Sequence, residues 1–292
     1  MRSIVITWLL VFAACAFSAQ GKVKTLLYEV KSPGVKKPSY LFGTIHLSDP
    51  RLTVWDRTFM RAFRKSDVIA GEVNAIDMRE QLEAVKYVSM KDSTLYQLLS
   101  REDSLLLRNA LNEKGSMELM LLHERLKPML LAAMLLEDTS PDQVNYVPDV
   151  ALQRMAVKAG KQVTGIESAR SHYGVFDSVS YREQAEILME TVRGLNDWPQ
   201  LRAATLDSYL RGDIQAIVDM EELAEVNAAL EHDLLIKRNV HMADKFMELA
   251  MKESVFCAVG AAHLIGKEGM ISLLHAKGCT VKPVPFRFQS PM

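Results

Sequence analysis

Cysteine is scarce in this chain of 292 residues: only Cys15, Cys257 and Cys279 are present. They are too few and too widely spaced for a Cys-x-x-Cys metal knuckle or a disulfide-dense scaffold. Neither sign of charge prevails, with 35 Lys and Arg against 36 Asp and Glu. No basic stripe runs along the chain, which argues against nucleic acid as a partner. Beyond the N-terminal segment no stretch reaches the ~18 uninterrupted apolar residues of a membrane span. Short catalytic signatures are missing too. There is no Gly-x-Ser-x-Gly elbow, and Gly266-Lys267-Glu268-Gly269 lacks both the spacing and the Lys-Ser/Thr pair of a phosphate loop. There is no His-Glu-x-x-His and no pair of His at helical spacing. Any active site must therefore be assembled from residues far apart in sequence.

The first residues read as an export signal. Arg2 forms a short basic region, Ile4 to Phe17 an apolar run of signal-peptide length, and Ala14, Ala16 and Ser18 offer small residues for cleavage before Phe17 or Ala19. Residues 1–19 are thus expected to leave. Phe12-Ala13-Ala14-Cys15 also resembles a lipoprotein box, so a lipid anchor at Cys15 stands as an alternative fate. The expected location is the periplasm, an outer-membrane tether or the medium. In an oxidising compartment Cys257 and Cys279 have two readings, a bridge between neighbouring parallel strands or two separate buried thiols.

The body of the chain alternates strands and helices. Thr25 to Val30 and Tyr40 to Ile45 are spaced as a hairpin around Pro33, Gly34 and Pro38. Residues 53–66 carry Val54, Phe59, Ala62 and Phe63 on one helical face, and Asp67 to Val73 returns as a strand. From about 77 to 138 the pattern is helical and rich in Leu and Met, which reads as packing and not as a cofactor box. A helix from Asp149 to Ala159 leads to a strand over 162–167, helices fill 180–252, and strand 254–260, helix 268–277 and strand 279–285 suggest a second βαβ unit. The expected fold is α/β, with a mixed central sheet flanked by helices and a helical insertion at about 77–138.

One internal echo stands out. Gly43-Thr44-Ile45-His46-Leu47 and Gly260-Ala261-Ala262-His263-Leu264 share the pattern Gly-x-x-His-Leu, each after an apolar strand. Glu72 and Glu167 also end strands. Ligand sites gather at the carboxyl ends of strands in open α/β sheets, so two His and two Glu are candidates to converge. A divalent cation needs about three such ligands and an open position. Glycine three residues before each His would allow a sharp turn or a close backbone approach. Arg238, in a helix beside Leu234, Leu235, Val240 and Met242, needs an anionic partner if it points inward. Asp149 or a Glu would make it a structural pair, while a substrate carboxylate or oxyanion would make it a clamp. His172 is a minor candidate by its proximity to Glu167. His123 and His232 read as surface or capping residues, and His275 as a helix-terminal cation. His241 falls three residues after Arg238 and could share its helix face. Cys257, mid-strand, should be too buried to act as a nucleophile.

Together these segments resemble the TraB/GumN family, which includes the Tiki-type metalloproteases. The match runs in order through Tyr40 to Leu47, Ser66-Asp67 to Asn74, Asp149 to Glu167, Arg238-Asn239 with Met242, and Val259 to Gly278. The resemblance implies a fold like that of ChaN and the erythromycin esterases, with both Gly-x-x-His loops and a glutamate facing one cleft. It implies a metal-dependent peptidase acting on peptides or proteins, with manganese or cobalt favoured and zinc a further candidate. Carried over, His46, Glu72 and His263 become metal ligands, Glu167 a fourth ligand or general base, and Arg238 a substrate or oxyanion contact. Ser48 and Gly71 depart from the family pattern. Two rival readings use the same cleft: a haem- or metal-binding envelope protein without turnover, with His46 or His263 as axial ligand, and an envelope-assembly protein with a vestigial site.

Overall fold

The computed structural model describes residues 23–137, 143–217 and 235–291. The leader, Cys15, His232 and Leu234 lie outside the described residues. Six strands form one mixed sheet in the order β4-β3-β5-β2-β1-β6. They are β1 (Leu27–Lys31), β2 (Ser39–Thr44), β3 (Val68–Gly71), β4 (Gln162–Gly165), β5 (Val255–Gly260) and β6 (Thr280–Pro283). β2, β5, β3 and β4 run parallel, and β1 is antiparallel to both β2 and β6. The hairpin is as the Pro33-Gly34 turn implies. β2, β3 and β5 are almost wholly buried, as strands covered on both faces should be.

The second βαβ unit needs correcting. β5 and β6 are not neighbours, because β2 and β1 lie between them. Local sequence suggests an adjacent return, but β2 of the β1–β2 hairpin already occupies that edge of β5, paired in parallel from Tyr40–Phe256 to Thr44–Gly260. Cys257 and Cys279 are accordingly both buried and unbridged.

Twelve α-helices flank the sheet among the described residues. α1 (Arg57–Lys65) links β2 to β3, capped by Asp56, whose carboxylate accepts from the Thr58 and Phe59 amides, both at 2.9 Å. It buries Phe59, Ala62 and Phe63. Phe59 meets Phe42 edge-on with ring centroids 4.9 Å apart and stacks on Trp55 at 4.8 Å. The predicted helical insertion is present as α2 (Met78–Val88), α3 (Leu95–Leu98), α4 (Arg101–Lys114), α5 (Met117–Leu122) and α6 (Pro128–Leu136). Its Leu107, Leu111, Leu131 and Leu135 form a second apolar cluster, completed by Leu188 and Met189 of α9 (Tyr181–Arg193). His123 is buried here, not on the surface; it ends α5 and meets the Tyr96 hydroxyl at 2.8 Å and the Met120 carbonyl at 2.9 Å. α7 (Pro148–Lys158) feeds β4, α8 (Ala169–Gly174) follows it, and α10 (Trp198–Leu210), α11 (Lys237–Ala250) and α12 (Met270–Ala276) complete the set. In α11 Met242 is buried but Val240 is exposed, because only one side of this amphipathic helix faces the sheet.

Both departures from the family pattern have local causes. The Ser48 hydroxyl donates to the Gln143 carbonyl at 2.5 Å, and Arg202 donates to the Ser48 carbonyl at 2.5 Å, fixing the loop after His46. Gly71 makes room for Gln153. A Cβ there would stand 2.5 Å from the Gln153 amide nitrogen, which donates to the Val73 carbonyl while its oxygen accepts from the Ala75 amide, both at 2.9 Å. Gly71→Ala should therefore cost about 1–3 kcal/mol, read as a lower denaturation midpoint. The loss should shrink in a Gln153→Ala background, and an equal loss in both backgrounds would contradict this account.

Candidate functional site

The carboxyl ends of the four parallel strands lie side by side, and within three residues of each stands a candidate: His46 after β2, Glu72 after β3, Glu167 after β4 and His263 after β5. The β3–β4 ladder continues past the strand ends, with the Ile166 amide donating to the Gly71 carbonyl at 2.9 Å and the Glu167 amide to the Glu72 carbonyl at 2.8 Å. That extension places two carboxylates together below the surface. The Glu167 side chain is 0% exposed and that of Glu72 only 8%.

Two adjacent buried carboxylates repel and are poorly solvated, so positive charge must stand between them. Arg238, near the start of α11, supplies it. Its Nη2 donates to Glu72 Oε2 at 2.5 Å and to Glu167 Oε2 at 2.6 Å, while Nε donates to Glu167 Oε1 at 3.0 Å. Of the expected partners it takes the two Glu and not Asp149. Glu72 Oε1 also accepts from the Gly260 amide at 2.7 Å. Burial pushes the Glu72 carboxyl up, but His263 and Arg238, with smaller contributions from His172 and His46, hold it far below the carboxylate range. At neutral pH Arg238 is the permanent charge among these. Glu167, raised by burial but bound by His172 and Arg238, falls to about 2.

His172 enters from α8. Its Nδ1 lies 3.3 Å from Glu167 Oε2, 3.4 Å from Glu72 Oε2 and 3.0 Å from Arg238 Nη2. Arginine can only donate and an ionised carboxylate only accept, so this nitrogen is an acceptor toward Arg238 in one tautomer and a donor toward Glu167 in the other. Glu72, Glu167 and His172 offer ligand atoms within 4.8 Å of one another. Sequence proximity hinted at this residue. The stronger signal was Ser168, which caps α8 through the Ser171 amide at 3.1 Å and turns the helix back over Glu167.

His263 is set by its neighbour on α11. Asn239 Nδ2 donates to the Glu268 carbonyl at 2.9 Å, so Asn239 Oδ1 must be the acceptor facing His263 Nδ1 at 2.6 Å. The proton is thereby assigned to Nδ1, and Nε2, 3.8 Å from Glu72 Oε1, presents its lone pair to a carboxylate. Burial is the main reason the His263 pKa falls to about 4, and it outweighs the pull of Glu72. The two Gly-x-x-His-Leu segments also touch. A Cβ on Gly43 would stand 2.8 Å from Leu264 Cδ1 and 3.2 Å from Ala261 Cα, and one on Gly260 3.3 Å from Glu72 Oε1. Neither glycine has positive φ, so close approach, not a sharp turn, is what both provide.

His46 stands apart at the rim, its side chain 58% exposed and its Nδ1 3.7 Å from Asp149 Oδ2. Asp149 Oδ1 accepts from Thr44 Oγ1 at 2.7 Å, while Oδ2 is buried with no hydrogen-bond partner. Partial desolvation at this rim works against the charged imidazole, but Asp149, Glu72 and Glu137 outweigh it and raise its pKa. Glu72, Glu167, Arg238 and His263 are thus brought together, whereas His46 joins them only through the field it shares with Glu72.

These donors suit a divalent cation. The carboxylates are ionised and the deep imidazole is neutral, with an amide carbonyl orienting its far nitrogen, as metal-ligating His are commonly oriented. A lone pair facing a carboxylate asks for positive charge between them.

The model of the TraB/PrgY/gumN family matches residues 26–283. The chain belongs to that family. It is similar to Metalloprotease TIKI2 of Danio rerio, 25% identical over 91% of this chain and 62% of the relative. It is also similar to Metalloprotease TIKI1 of the same organism, 22% identical over 91% of this chain and 64% of the relative. The chain therefore matches less than two thirds of the length of each. No solved structure matches. Among the described residues no helix is long and apolar enough to cross a membrane.

The sign of the pH dependence follows from this arrangement. Folded His263 titrates near 4 instead of 6.5, so between those values the unfolded chain binds the extra proton and stability falls as pH drops. The loss reaches about 3 kcal/mol at most. Glu167, held near 2 against 4.5, adds a second loss below pH 4.5. Metal-free protein should lose melting temperature from pH 6.5 downward, and His263→Gln should flatten the curve above pH 4.5 while leaving the lower fall. An unchanged upper limb in that variant would contradict the assignment.

Proposed function

We propose that this member of the TraB/PrgY/gumN family is an exported, divalent-metal-dependent hydrolase acting on peptides or proteins. The observation that carries the reading is the meeting of ionised Glu72 and Glu167 with a neutral His263 whose Nε2 lone pair faces Glu72. The similarity to two proteins named metalloproteases supports the same class. The apolar run Ile4 to Phe17 supports export.

Glu72 and His263 would hold the cation, with His46 closing from the β2 loop and Glu167 or His172 completing the set. When bound, the cation supplies electrophilic polarisation of a scissile carbonyl and a more acidic attacking water. The protein's own groups do the rest. Glu167 takes a proton at a carboxylate oxygen, although a group held near 2 by Arg238 is a poor base at neutral pH. Turning of the guanidinium away from Glu167 and toward a substrate oxygen raises the basicity of that carboxylate and neutralises developing negative charge. Arg238 thereby links substrate binding to the proton transfer. Asn239 keeps the His263 proton on Nδ1.

The haem-binding alternative calls for an apolar slot. Among the described residues, the cleft that Arg238 lines is about 270 Å³ and sets Lys237, Arg238 and His241 beside Gly174 and Val175.

The test is metal titration of the stripped protein with manganese, cobalt and zinc, followed by metal analysis and thermal melting. Wild type should bind stoichiometrically and gain melting temperature. Glu72→Gln and His263→Ala should lose at least about tenfold in affinity, His46→Ala less, and the loaded wild type should cleave a peptide library. Absence of metal uptake with unchanged melting in every form would sink the proposal.

A further inference from the structure

Across α8 from the carboxylates lies a cavity of about 350 Å³ that the chemistry above does not use. Lys86, Lys91, Lys127 and Arg170 line it, against Asp177 as the acid among the described lining residues. Lys127 is 1% exposed, its ammonium paired with Asp177 at 2.6 Å and donating to the Tyr173 carbonyl at 3.2 Å. A buried ammonium is costly, and an apolar side chain would serve packing at least as well. Two of its three N–H bonds are taken by these partners. Lys86 is matched by Glu83 at 2.8 Å, so Lys91 and Arg170, both exposed, supply the excess positive charge. A cleft with one sign of charge and low-dielectric walls concentrates its field on an anion.

Its position relative to the carboxylate cluster gives that anion a meaning. His172 of α8 faces Glu72 and Glu167, while Arg170 and Gly174 of the same helix line the basic cavity. Gly174 also lines the cleft that contains Arg238. The two spaces therefore adjoin at Gly174, while His172 and the carboxylates stand on the opposite side of α8, a helix about 10 Å across. An extended peptide advances ~3.3 Å per residue, so about three residues span the gap.

We propose that this cavity is a specificity subsite for an acidic side chain, Asp or Glu, about three residues from the substrate bond placed at the Glu72–Glu167 cluster. It rests on the peptide-hydrolase reading but is tested by binding alone. Metal-free full-length protein is titrated into two fluorescent degenerate heptapeptide pools, identical except for Glu or Gln at the central position, and anisotropy is followed. The Glu pool should bind about tenfold more tightly. The preference should vanish in the Lys91→Gln/Arg170→Gln double variant, which keeps buried Lys127 and should melt like wild type. Equal binding of the pools by wild type, binding of neither, or a preference that survives in the double variant would each overturn the subsite. So would displacement of both pools alike by inorganic phosphate, which would assign the cavity to a free anion. Because no metal is present, these outcomes are independent of whether the carboxylate cluster binds a cation.

Discussion

Two glutamates buried side by side at the ends of adjacent parallel strands set the constraint on which the rest of this site depends. Neither carboxylate can be solvated there, and each raises the cost of ionising the other. Arg238 resolves the conflict by contacting both, with two donors on Glu167 and one on Glu72. That solution dictates where α11 must lie, since its first turn has to reach over the ends of β3 and β4. Once α11 is placed, Asn239, the next residue, falls on His263 and fixes which of its nitrogens carries the proton. One helix end thus supplies both the compensating charge and the orientation of the imidazole.

The same guanidinium gives the site its chemical latitude. Clasped to the carboxylates, Arg238 keeps them ionised and makes Glu167 a weak base. A divalent cation among the same donors would make the guanidinium redundant as a counter-charge and available to a substrate oxygen. The structural and the functional readings of Arg238 are then two states of one interaction. The pair of Gly-x-x-His-Leu segments supports this centre mechanically. The missing side chain of Gly43 admits Ala261 and Leu264, that of Gly260 admits Glu72, and the loops seat each other without backbone strain. Beneath them Phe42, Phe59 and Phe256 lock α1 to the sheet, with centroids 4.9 to 6.1 Å apart.

Much of this was legible from residue patterns because strand ends carry their own punctuation. An apolar strand followed by Gly-x-x-His-Leu, Gly-Glu or Gly-Ile-Glu marked His46, Glu72, Glu167 and His263 as strand-end residues. The helical insertion was equally plain from its Leu and Met periodicity. What sequence hid was lateral order. β5, α12 and β6 read as a local βαβ unit, but which strands lie between β5 and β6 is decided by the distant β1–β2 hairpin. Arg238 was recognisable as needing an anion, yet Asp149 and the glutamates were equivalent candidates until the ladder past Gly71 and Gly165 placed the glutamates together. His172 was obscured because α8 is short, so its return onto Glu167 depends on the Ser168 cap more than on any periodic stripe. His123 read as a surface or capping residue; it does cap α5, but its burial was hidden because its partners, Tyr96 and the Met120 carbonyl, come from packing within this helical region.

The most direct test of the central claim is the melting temperature of Arg238→Gln, measured metal-free and with saturating manganese beside wild type. Leaving the two buried carboxylates without their cation should cost about 3–5 kcal/mol, so the metal-free variant should melt well below wild type. Manganese should then restore more of the variant's stability than it adds to the wild type, because the cation and the guanidinium answer the same charge. A variant that melts like wild type without metal, or that gains nothing from manganese while wild type does, would contradict the account.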